Sequence, residues 1–380
     1  MKKKQICITM YHRFIYEAFM LYHFLYPLAK ELTFFNIFGY ITFRAIIAFV
    51  IAFIFCIFAF PPFIRKMKAI KAAQIIRDDG PQTHLAKVGT PTMGGLIIIF
   101  GMLISLLICG NFANFYVIVM IFCTIGFALI GFLDDYLKIS RKSSDGLHAK
   151  FKLISQILMA TVITIFIYLI IGKDNNPGDI HIPFFKDLHI NISWFYIPFG
   201  VFFITAFSNA VNLTDGLDGL AGGMLVAVTV CLGLLCYITG HKDMAEYLYI
   251  KFIPLSGELL VYCFAMIGGL CGFLWYNTNP AEIFMGDTGS LSFGGIIDTI
   301  AMMIKQELLL VIMAGVFVAE TFSVIIQVLH YKRTGKRFFK MAPLHHHFEL
   351  KGWPESKVIT RFWIVSALCA LLALGSLKIR

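Results

Sequence analysis

Long uncharged apolar runs alternate with short polar segments along most of this chain. Ten runs each approach the length needed to cross a bilayer core of about 30 Å, so each predicts a spanning α-helix. The predicted helices are Tyr40–Phe60, Gly94–Cys109, Phe115–Leu133, Leu153–Ile171, Trp194–Val211, Leu220–Ile238, Leu255–Trp275, Leu291–Ile304, Leu308–His330 and Ile359–Leu377. The pattern therefore predicts an all-α integral membrane protein with about ten transmembrane helices.

Composition agrees with a membrane protein and changes how the basic charge is interpreted. Of the 380 residues, 59% are hydrophobic and only 14% are charged, whereas a soluble domain has roughly 25% charged residues. The formal net charge is +10. Because the basic residues cluster between apolar runs, we attribute them to cytoplasmic loops and to contact with anionic lipid or substrate, and we expect no nucleic-acid partner.

The connections between the predicted helices fall into two alternate sets of unequal charge. The basic set contains Arg65, Lys66, Lys68, Lys71, Arg77, Lys87, Lys138, Arg141, Lys142, Lys150, Lys152, Lys332, Arg333, Lys336, Arg337, Lys340, Lys351 and Lys357. The other set contains Lys173, Lys186, Lys242, Lys251 and Lys305. The positive-inside rule places the basic set in the cytoplasm and, with an even helix count, both termini outside.

Residues 1–38 differ from the rest of the chain. Lys2, Lys3 and Lys4 precede apolar residues as in a signal peptide, but Arg13 and Glu17 interrupt the apolar core. We interpret residues 1–38 as an N-terminal interfacial segment, with translation from Met20 as an alternative. Residues 39–380 are predicted to form a single polytopic domain.

Two acidic segments, Asp134-Asp135 and Gly286–Ser290, lie on the predicted cytoplasmic side. Asp134 and Asp135 end the third predicted helix, where acids oppose the helix macrodipole. A divalent cation or the neighbouring Lys138 should therefore compensate their charge. Asp287 precedes the eighth predicted helix, where it is either a helix cap or a metal-bound carboxylate near phosphate.

A third acidic segment, Asn212–Gly219, contains Asp215 and Asp218 three positions apart. On a helical turn these two acids would share a face. Together with Asn212 and Thr214 they form an oxygen-rich group that suits Mg²⁺, or the hydroxyls and imide of a nucleoside. A capped turn fits the same pattern equally well.

Two further polar segments on this side offer cations and imidazoles. Lys87–Gly95 combines one cation, two hydroxyls and flexible glycines, which fits phosphate or a nucleotide, although it lacks the Walker A order and a plain turn remains the alternative. His345, His346 and His347 can bind phosphate or transfer protons near neutral pH. Phe348 and Trp353 favour a histidine loop that packs at the membrane surface over a solvent-exposed polar loop. These segments suit Mg²⁺-assisted transfer between a water-soluble phosphorylated substrate and a lipid phosphate.

The motifs of this chain resemble those of the phospho-N-acetylmuramoyl-pentapeptide transferases, a branch of the polyprenyl-phosphate N-acetylhexosamine-1-phosphate transferases. The resemblance extends from about Phe34 to the C-terminus and rests on Asp78–Pro81, Gly89–Gly95, Asp134-Asp135, Asn209–Gly219, Phe284–Gly289 and Pro343–Glu349. The aspartate motifs are shared across the superfamily. The triple histidine, with Lys351–Trp353 and Arg361–Trp363, is specific to the muramoyl-pentapeptide branch.

The resemblance implies an enzyme of the bacterial cytoplasmic (inner) membrane whose active site faces the cytoplasm. It would convert UDP-MurNAc-pentapeptide and undecaprenyl phosphate to lipid I and UMP with Mg²⁺, the first membrane step of peptidoglycan synthesis. The implied catalytic residues are Asp134 (candidate base), Asp135, Asp287, His346 and His347, and the implied metal ligands are Asp287 and Asn212. The implied substrate-binding residues are Lys87, Thr92, Asn212, Asp215, Asp218, Asn277, Phe284, Gln327 and His345. The oligomeric state stays open, with a homodimer as one alternative.

Two other functions fit parts of the pattern. A sister transferase that uses UDP-GlcNAc would share the aspartates, but its histidine loop should differ. A transporter would use the intramembrane acids Asp298 and Glu320 for ion coupling. Against a transporter, the acids concentrate on one face and not at mid-membrane.

Overall fold

The computed structural model describes residues 26, 28, 32–70, 87, 89–141, 146–171, 176–185 and 188–378. Thirteen α-helices within these ranges are numbered in chain order. They are α1 (Ile41–Ala69), α2 (Gly94–Cys109), α3 (Phe115–Arg141), α4 (Ala149–Ile171), α5 (Tyr196–Thr214), α6 (Leu220–Thr239), α7 (Lys242–Tyr247), α8 (Leu259–Asn277), α9 (Gly286–Met303), α10 (Glu307–Met313), α11 (Gly315–Thr334), α12 (Leu344–Glu349) and α13 (Glu355–Ser376). Short 3₁₀ helices cover Thr33–Gly39, Ser193–Phe195 and Ser256–Glu258.

The predicted multi-pass helical membrane protein is confirmed. Seven helices (α1, α3, α4, α5, α6, α8 and α13) are long and apolar enough to cross a membrane, and α10 with α11 forms an eighth candidate span that is bent by 83°. The other two predicted spans correspond to α2, a shorter apolar helix of 16 residues, and to α9. Each of the ten apolar runs is therefore a helix or, for the ninth, a pair of helices.

A small β-hairpin departs from the all-α prediction. Strand β1 (Asp179–His181) pairs antiparallel with β2 (His189–Asn191) in the connection between α4 and α5, with Ile180 opposite Ile190. The Asn191 Nδ2 amide donates to Asp179 Oδ1 over 2.6 Å and ties the two strands together. The connection lies at the end of the bundle opposite to the predicted site residues.

Helices α1 and α3 extend furthest beyond their predicted C-terminal ends. Helix α1 continues through Pro61 and Pro62 to Ala69. A proline leaves the carbonyl four residues earlier without its helical donor, and here the Tyr276 hydroxyl donates to the Ile57 carbonyl over 2.9 Å. Helix α3 continues to Arg141, so the prediction that Asp134-Asp135 ends this helix is wrong. Lys138 and Arg141 in its last turn give the favourable charge at the helix C-terminus.

Helix α9 lies at the centre of the bundle, packed against α2, α3 and α5, and all its residues from Thr288 to Met303 are buried. Two glycines allow this close packing. A Cβ on Gly95 of α2 would overlap the backbone of Gly289, and a Cβ on Gly131 of α3 would overlap the Asp287 carbonyl group. Small residues let membrane helices approach closely, so the ends of α2, α3 and α9 meet at one point.

Most of the predicted N-terminal interfacial segment lies outside the described residues. Its described part is residues 26, 28 and 32–38, and the 3₁₀ helix Thr33–Gly39 leads into α1. The Asp78–Pro81 signature also lies outside the described ranges. The division at residue 38 stays a prediction.

Candidate active site

The predicted site residues meet at one end of the helix bundle. They occupy the C-terminal ends of α3, α5, α8 and α11 and the N-terminal ends of α2, α4, α6, α9 and α13, together with the connections between them. Because successive helices run in opposite directions, these ends share one face of the bundle. The predicted grouping of the five polar segments on one face agrees with this arrangement.

Asp287, in the first turn of α9, has polar partners from three other helices. Its Oδ2 accepts hydrogen bonds from Lys138 Nζ at 2.9 Å and Lys152 Nζ at 2.7 Å. Its Oδ1 accepts one from Asn212 Nδ2 at 2.7 Å, and the same amide donates to Ser290 Oγ at 2.8 Å. Asp287 makes no capping hydrogen bond to its own helix, so the cap interpretation is wrong.

Asp134 of α3 shares the two lysines with Asp287. Its Oδ2 lies 2.6 Å from Lys138 Nζ and 3.7 Å from Lys152 Nζ. Its Oδ1 accepts a hydrogen bond from the Leu147 backbone N–H over 2.8 Å. Lys138 therefore compensates Asp134, as predicted from the sequence, and Lys152 is a second cation that the sequence did not single out.

Asp135 has a different set of partners, although it is adjacent to Asp134. Its Oδ1 accepts from the Asp287 backbone N–H over 3.1 Å, and its Oδ2 accepts from the Thr288 N–H over 2.9 Å and the Thr288 hydroxyl over 2.7 Å. Asp135 thus caps the N-terminus of α9 from another helix. Gly286 makes room for this contact: it has φ 76°, and a Cβ there would lie 2.7 Å from Asp135 Oδ2.

Three carboxylates at this point fit a hard divalent cation. One oxygen from each of Asp134, Asp135 and Asp287 lies within 4.8 Å of the others. Carboxylate oxygens are ligands that Mg²⁺ takes in proteins; Asn212 adjoins the cluster but presents its amide Nδ2, a hydrogen-bond donor, to Asp287. The donor set therefore fits a divalent cation. The ammonium groups of Lys138 and Lys152 offset part of the negative charge of this carboxylate cluster.

Thr92 and Phe284 lie on two short segments that pair through their backbones. The Phe284 N–H donates to the Pro91 carbonyl, and its carbonyl accepts from the Gly94 N–H, both over 2.8 Å. Thr92 is buried, with its Oγ1 beside Gly286. These segments bring the polar residues before α2 next to the start of α9.

The turn after α5 separates the environments of its two acids. Asp215 and Asp218 lie beyond the end of α5 at Thr214, so they are not on a helical turn and do not share a helical face. Partial burial, and then the carboxylates of Asp287, Asp135 and Asp218, raise the pKa of Asp215 to about 8. Its carboxyl is therefore mostly protonated at neutral pH in the absence of a cation, and it can donate a hydrogen bond.

Asp218 and Asn277 connect this turn to the loop after α8. Asp218 Oδ2 accepts from Asn279 Nδ2 over 3.1 Å and from the Ala281 N–H over 3.0 Å. Asn277 Oδ1 accepts from the Gly219 N–H over 2.8 Å, and its Nδ2 donates to the Ile283 carbonyl over 2.7 Å. Both side chains are buried; the Asn277 amide bonds to backbone groups, whereas Asp218 bonds to one backbone N–H and to two side chains. Asp218 Oδ1 also accepts from Lys87 Nζ over 2.7 Å.

The histidine segment is a short helix, α12, and not the predicted loop. Glu320 Oε2 accepts from the Leu344 N–H over 2.6 Å, and its Oε1 accepts from the His345 N–H and pairs with His345 Nδ1, both over 3.2 Å. His345 is fully buried, and among the described residues its Nε2 has no hydrogen-bond partner. This nitrogen faces Gly216, where a Cβ would lie 2.5 Å away.

His346 and His347 are partly exposed at the same end of the bundle as the carboxylates. His346 Nδ1 lies 2.8 Å from Glu349 Oε2. His347 Nδ1 accepts from the Lys340 N–H over 3.1 Å, so in its neutral form the proton is on Nε2. Desolvation, with Lys351 and Lys340 nearby, lowers the pKa of His347 and favours that neutral form. The Phe348 ring stacks on that of Trp353, with centroids 4.7 Å apart.

Gln327 of α11 supports the segment before the histidines. Its Oε1 accepts from the Phe338 and Phe339 N–H groups over 3.0 and 2.8 Å, and its Nε2 donates to the Phe339 carbonyl over 3.2 Å. The Phe339 ring lies 5.6 Å from that of His347. Gln327 thus belongs to the histidine region and makes its polar contacts with backbone.

Four polar residues that the sequence reasoning did not assign to a site also lie here: Lys152, Ser290, Thr288 and Glu355. Lys152 was counted only among the loop cations, and Glu355 matches an ordinary acid at the start of a helix. The sequence offered one signal for Lys152: it is a basic residue directly before the fourth predicted helix, the helix that follows Asp134-Asp135.

Comparison with known proteins identifies the family. The profile of Glycosyl transferase family 4 matches residues 117–305. Three relatives are each named phospho-N-acetylmuramoyl-pentapeptide-transferase: those of Thermodesulfovibrio yellowstonii (51% identical over 362 residues), Syntrophus aciditrophicus (50% over 362) and Pelobacter propionicus (48% over 361). Each alignment covers 95% of this chain and all of the relative. The chain, a multi-pass membrane transferase, therefore belongs to the phospho-N-acetylmuramoyl-pentapeptide-transferase family.

Proposed function

We propose that this chain transfers phospho-MurNAc-pentapeptide from UDP-MurNAc-pentapeptide to undecaprenyl phosphate and so forms lipid I and UMP in peptidoglycan synthesis. The observation that carries the proposal is the position of the acid–lysine cluster beside an apolar groove on the lipid-facing side of the bundle. Such a pairing suits a reaction that joins a charged soluble donor to a phosphate on a hydrocarbon chain.

The groove runs between α4 and α5 and has a volume of about 630 Å³. It begins at Leu153 and Asn209, next to Lys152 in the chain and one helical turn from Asn212. Both Lys152 and Asn212 bond to Asp287. A polyprenyl chain in this groove would hold its phosphate at the cluster. The lining residues are Leu153, Ile157, Thr161, Ile197, Pro198, Val201, Phe202, Thr205, Ala206 and Asn209.

In this proposal each polar side chain of the cluster has a role of its own, and the carboxylates also share a metal ion. Lys138 and Lys152 bind and neutralise phosphate oxygens, Asn212 orients Asp287, and Asp135 holds the start of α9 in place. Asp134, with Oδ2 toward the lysines and Oδ1 fixed by Leu147, accepts the proton of the acceptor phosphate. Asp134, Asp135 and Asp287, with Asn212, would hold Mg²⁺, which neutralises charge on the diphosphate when bound.

We assign the donor, UDP-MurNAc-pentapeptide, to the part of this face that lies away from the groove. Lys87, Thr92, Asp215, Asp218, Asn277 and Phe284 surround the turn after α5 and provide cations, hydroxyls and carboxyl groups for a nucleoside. His346 and His347 extend this surface toward the sugar and peptide. His345 lies buried beneath it with Nε2 toward Gly216, and Gln327 holds the segment before the histidines. Asp218 and Asn277 are proposed to shape the pocket by tying the turn after α5 to the loop after α8, since their polar atoms are already bonded to protein.

One of the two acids assigned to the transporter alternative has another use. Glu320 bonds to α12 and His345. It therefore belongs to the histidine region, at the end of the bundle that carries the proposed site, and not to a path across the membrane. Asp298 is fully buried in α9, away from the transferase site. This distribution favours the transferase.

A reconstitution assay tests the proposed function. Purified protein, UDP-MurNAc-pentapeptide, undecaprenyl phosphate and Mg²⁺ should yield UMP and a lipid-linked product in equal amounts. Movement of the nucleotide across a vesicle membrane without UMP release would support a transporter instead.

The proposed cytoplasmic orientation predicts which cysteines are accessible from outside the inner membrane. In a cysteine-free background, a cysteine replacing exposed Lys336, after α11, should react with an impermeant thiol reagent only after the cells are opened. A cysteine replacing exposed Lys242, in α7 at the other end, should react in intact cells whose outer membrane admits the reagent. The reverse pattern would place the site on the outer face.

The histidines provide a prediction on substrate recognition. His346→Ala and His347→Ala should each slow turnover by about tenfold to a hundredfold, because hydrogen bonds to charged groups contribute roughly 1.5–3 kcal/mol. His241→Ala, at the exposed start of α7, is the matched control and should leave turnover unchanged. UDP-GlcNAc should be a poor donor for the unaltered enzyme. Full activity of both variants with efficient use of UDP-GlcNAc would indicate the sister transferase.

A further inference from the structure

Lys87 is held between two carboxylates that come from distant parts of the chain. Its Nζ lies 2.7 Å from Asp218 Oδ1 and 2.5 Å from Glu355 Oε1. The side chains of Lys87, Asp218 and Glu355 are only 14%, 1% and 13% exposed. Ion pairs shielded in this way are screened less by water and salt than surface pairs.

Glu355 bonds to the turn after α5 as well as to Lys87. Its Oε1 also accepts a hydrogen bond from the Asp218 backbone N–H over 3.1 Å. Asp218, in contrast, uses its Oδ2 for Asn279 and the Ala281 N–H, so it is committed to the loop after α8. One oxygen of Glu355 therefore fixes the position of Lys87 relative to Asp218.

A second contact attaches α13 to the same turn. Trp363 lies two helical turns beyond Glu355, and its Nε1 donates to the Gly219 carbonyl over 3.1 Å. The Trp363 ring packs where a Cβ on Gly223 would lie. Because Trp363 anchors α13 independently, a change of charge at Glu355 should leave the helix in place.

We propose that Glu355 is a positioning residue of the nucleotide-binding region, and that it acts through Lys87. A lysine side chain has many rotamers, and two fixed carboxylates limit Lys87 to one position. One cation with two carboxylates leaves a net negative charge, which disfavours a diphosphate at this point. The group that Lys87 contacts is therefore a neutral hydrogen-bonding part of the donor, such as its base or ribose. This inference rests on the proposed function.

The variant Glu355→Gln isolates the charge, because glutamine can still accept from the Asp218 N–H. We expect the KM for UDP-MurNAc-pentapeptide to rise by about tenfold to a hundredfold. The Kd of this donor, measured without acceptor lipid, should rise by the same factor. The kcat should stay within about threefold of that of the unaltered enzyme, because the lost contact binds the ground state and the transition state equally. The thermal midpoint should not change. Glu246→Gln, on the exposed face of α7, is the control and should alter none of these values.

The double variant tests whether Glu355 acts through Lys87. In a Lys87→Met background, Glu355→Gln should have little further effect on Kd, because coupled residues are not additive. This inference alone would be overturned if Glu355→Gln weakened donor binding by the same factor in the Lys87→Met background. It would also be overturned if Glu355→Gln lowered kcat and left KM unchanged. If the unaltered protein neither bound nor used UDP-MurNAc-pentapeptide, the proposed function would fail and this inference with it.

Discussion

Asp287→Asn is expected to reduce transfer by about a thousandfold or more, corresponding to a loss of about 4 kcal/mol in transition-state stabilisation. Asparagine keeps the size of the side chain but removes the charge that pairs with Lys138 and Lys152 and that a hard cation needs. The variant should still insert and purify, because Asp135 bonds to the backbone N–H of residue 287 and not to its side chain.

Asp298→Asn is a matched control for this variant. It makes the same chemical change in the same helix, at a buried carboxyl group outside the proposed site. Turnover should be measured across a Mg²⁺ titration, together with the shift in thermal midpoint that Mg²⁺ produces. We expect Asp298→Asn to keep both the turnover and the shift. Near-normal turnover of Asp287→Asn at all Mg²⁺ concentrations would show that Asp287 is not needed for metal-dependent chemistry.

Asp134→Asn and Asp135→Asn should lose activity in different ways. Asp134→Asn should reduce kcat by about a hundredfold to a thousandfold and leave the thermal midpoint almost unchanged. An asparagine can keep the bond to the Leu147 N–H, and Lys138 retains Asp287 as a partner. A carboxamide no longer accepts the proton, so chemistry and not folding should fail.

In Asp135→Asn, the side-chain NH₂ group would replace one carboxylate oxygen. It would then face the backbone N–H of residue 287 or 288, which is also a donor, in a buried position. An unsatisfied buried donor costs about 1–3 kcal/mol, so the thermal midpoint should fall along with kcat. Both variants should be compared by kcat, donor Kd and thermal midpoint in one detergent. Equal midpoints and equal kcat losses for the two variants would contradict the division into a base and a helix cap.

Local sequence patterns were sufficient for the fold class and for the face that carries the site. A backbone in lipid must satisfy its own hydrogen bonds, so long apolar runs become helices whatever their neighbours are. Predictions that depended on exact helix ends were less accurate. Helix α3 continues past Asp135, α1 passes through Pro61 because Tyr276 replaces a lost donor, and the ninth span bends before Gly315. The passage of α1 through Pro61 depends on Tyr276, a residue distant in the chain.

The sequence by itself determined a multi-pass helical protein whose acids, lysines and histidines collect at one end, since apolar length and charge asymmetry are local properties. Only the tertiary structure decided how each polar group is used. Asp134 and Asp135 are adjacent in the chain, yet one faces lysines while the other caps α9. Glu355 reaches Lys87 across 268 positions. Which partner a buried charge finds is decided by packing between distant helices, because burial favours whichever complementary group lies within hydrogen-bonding distance.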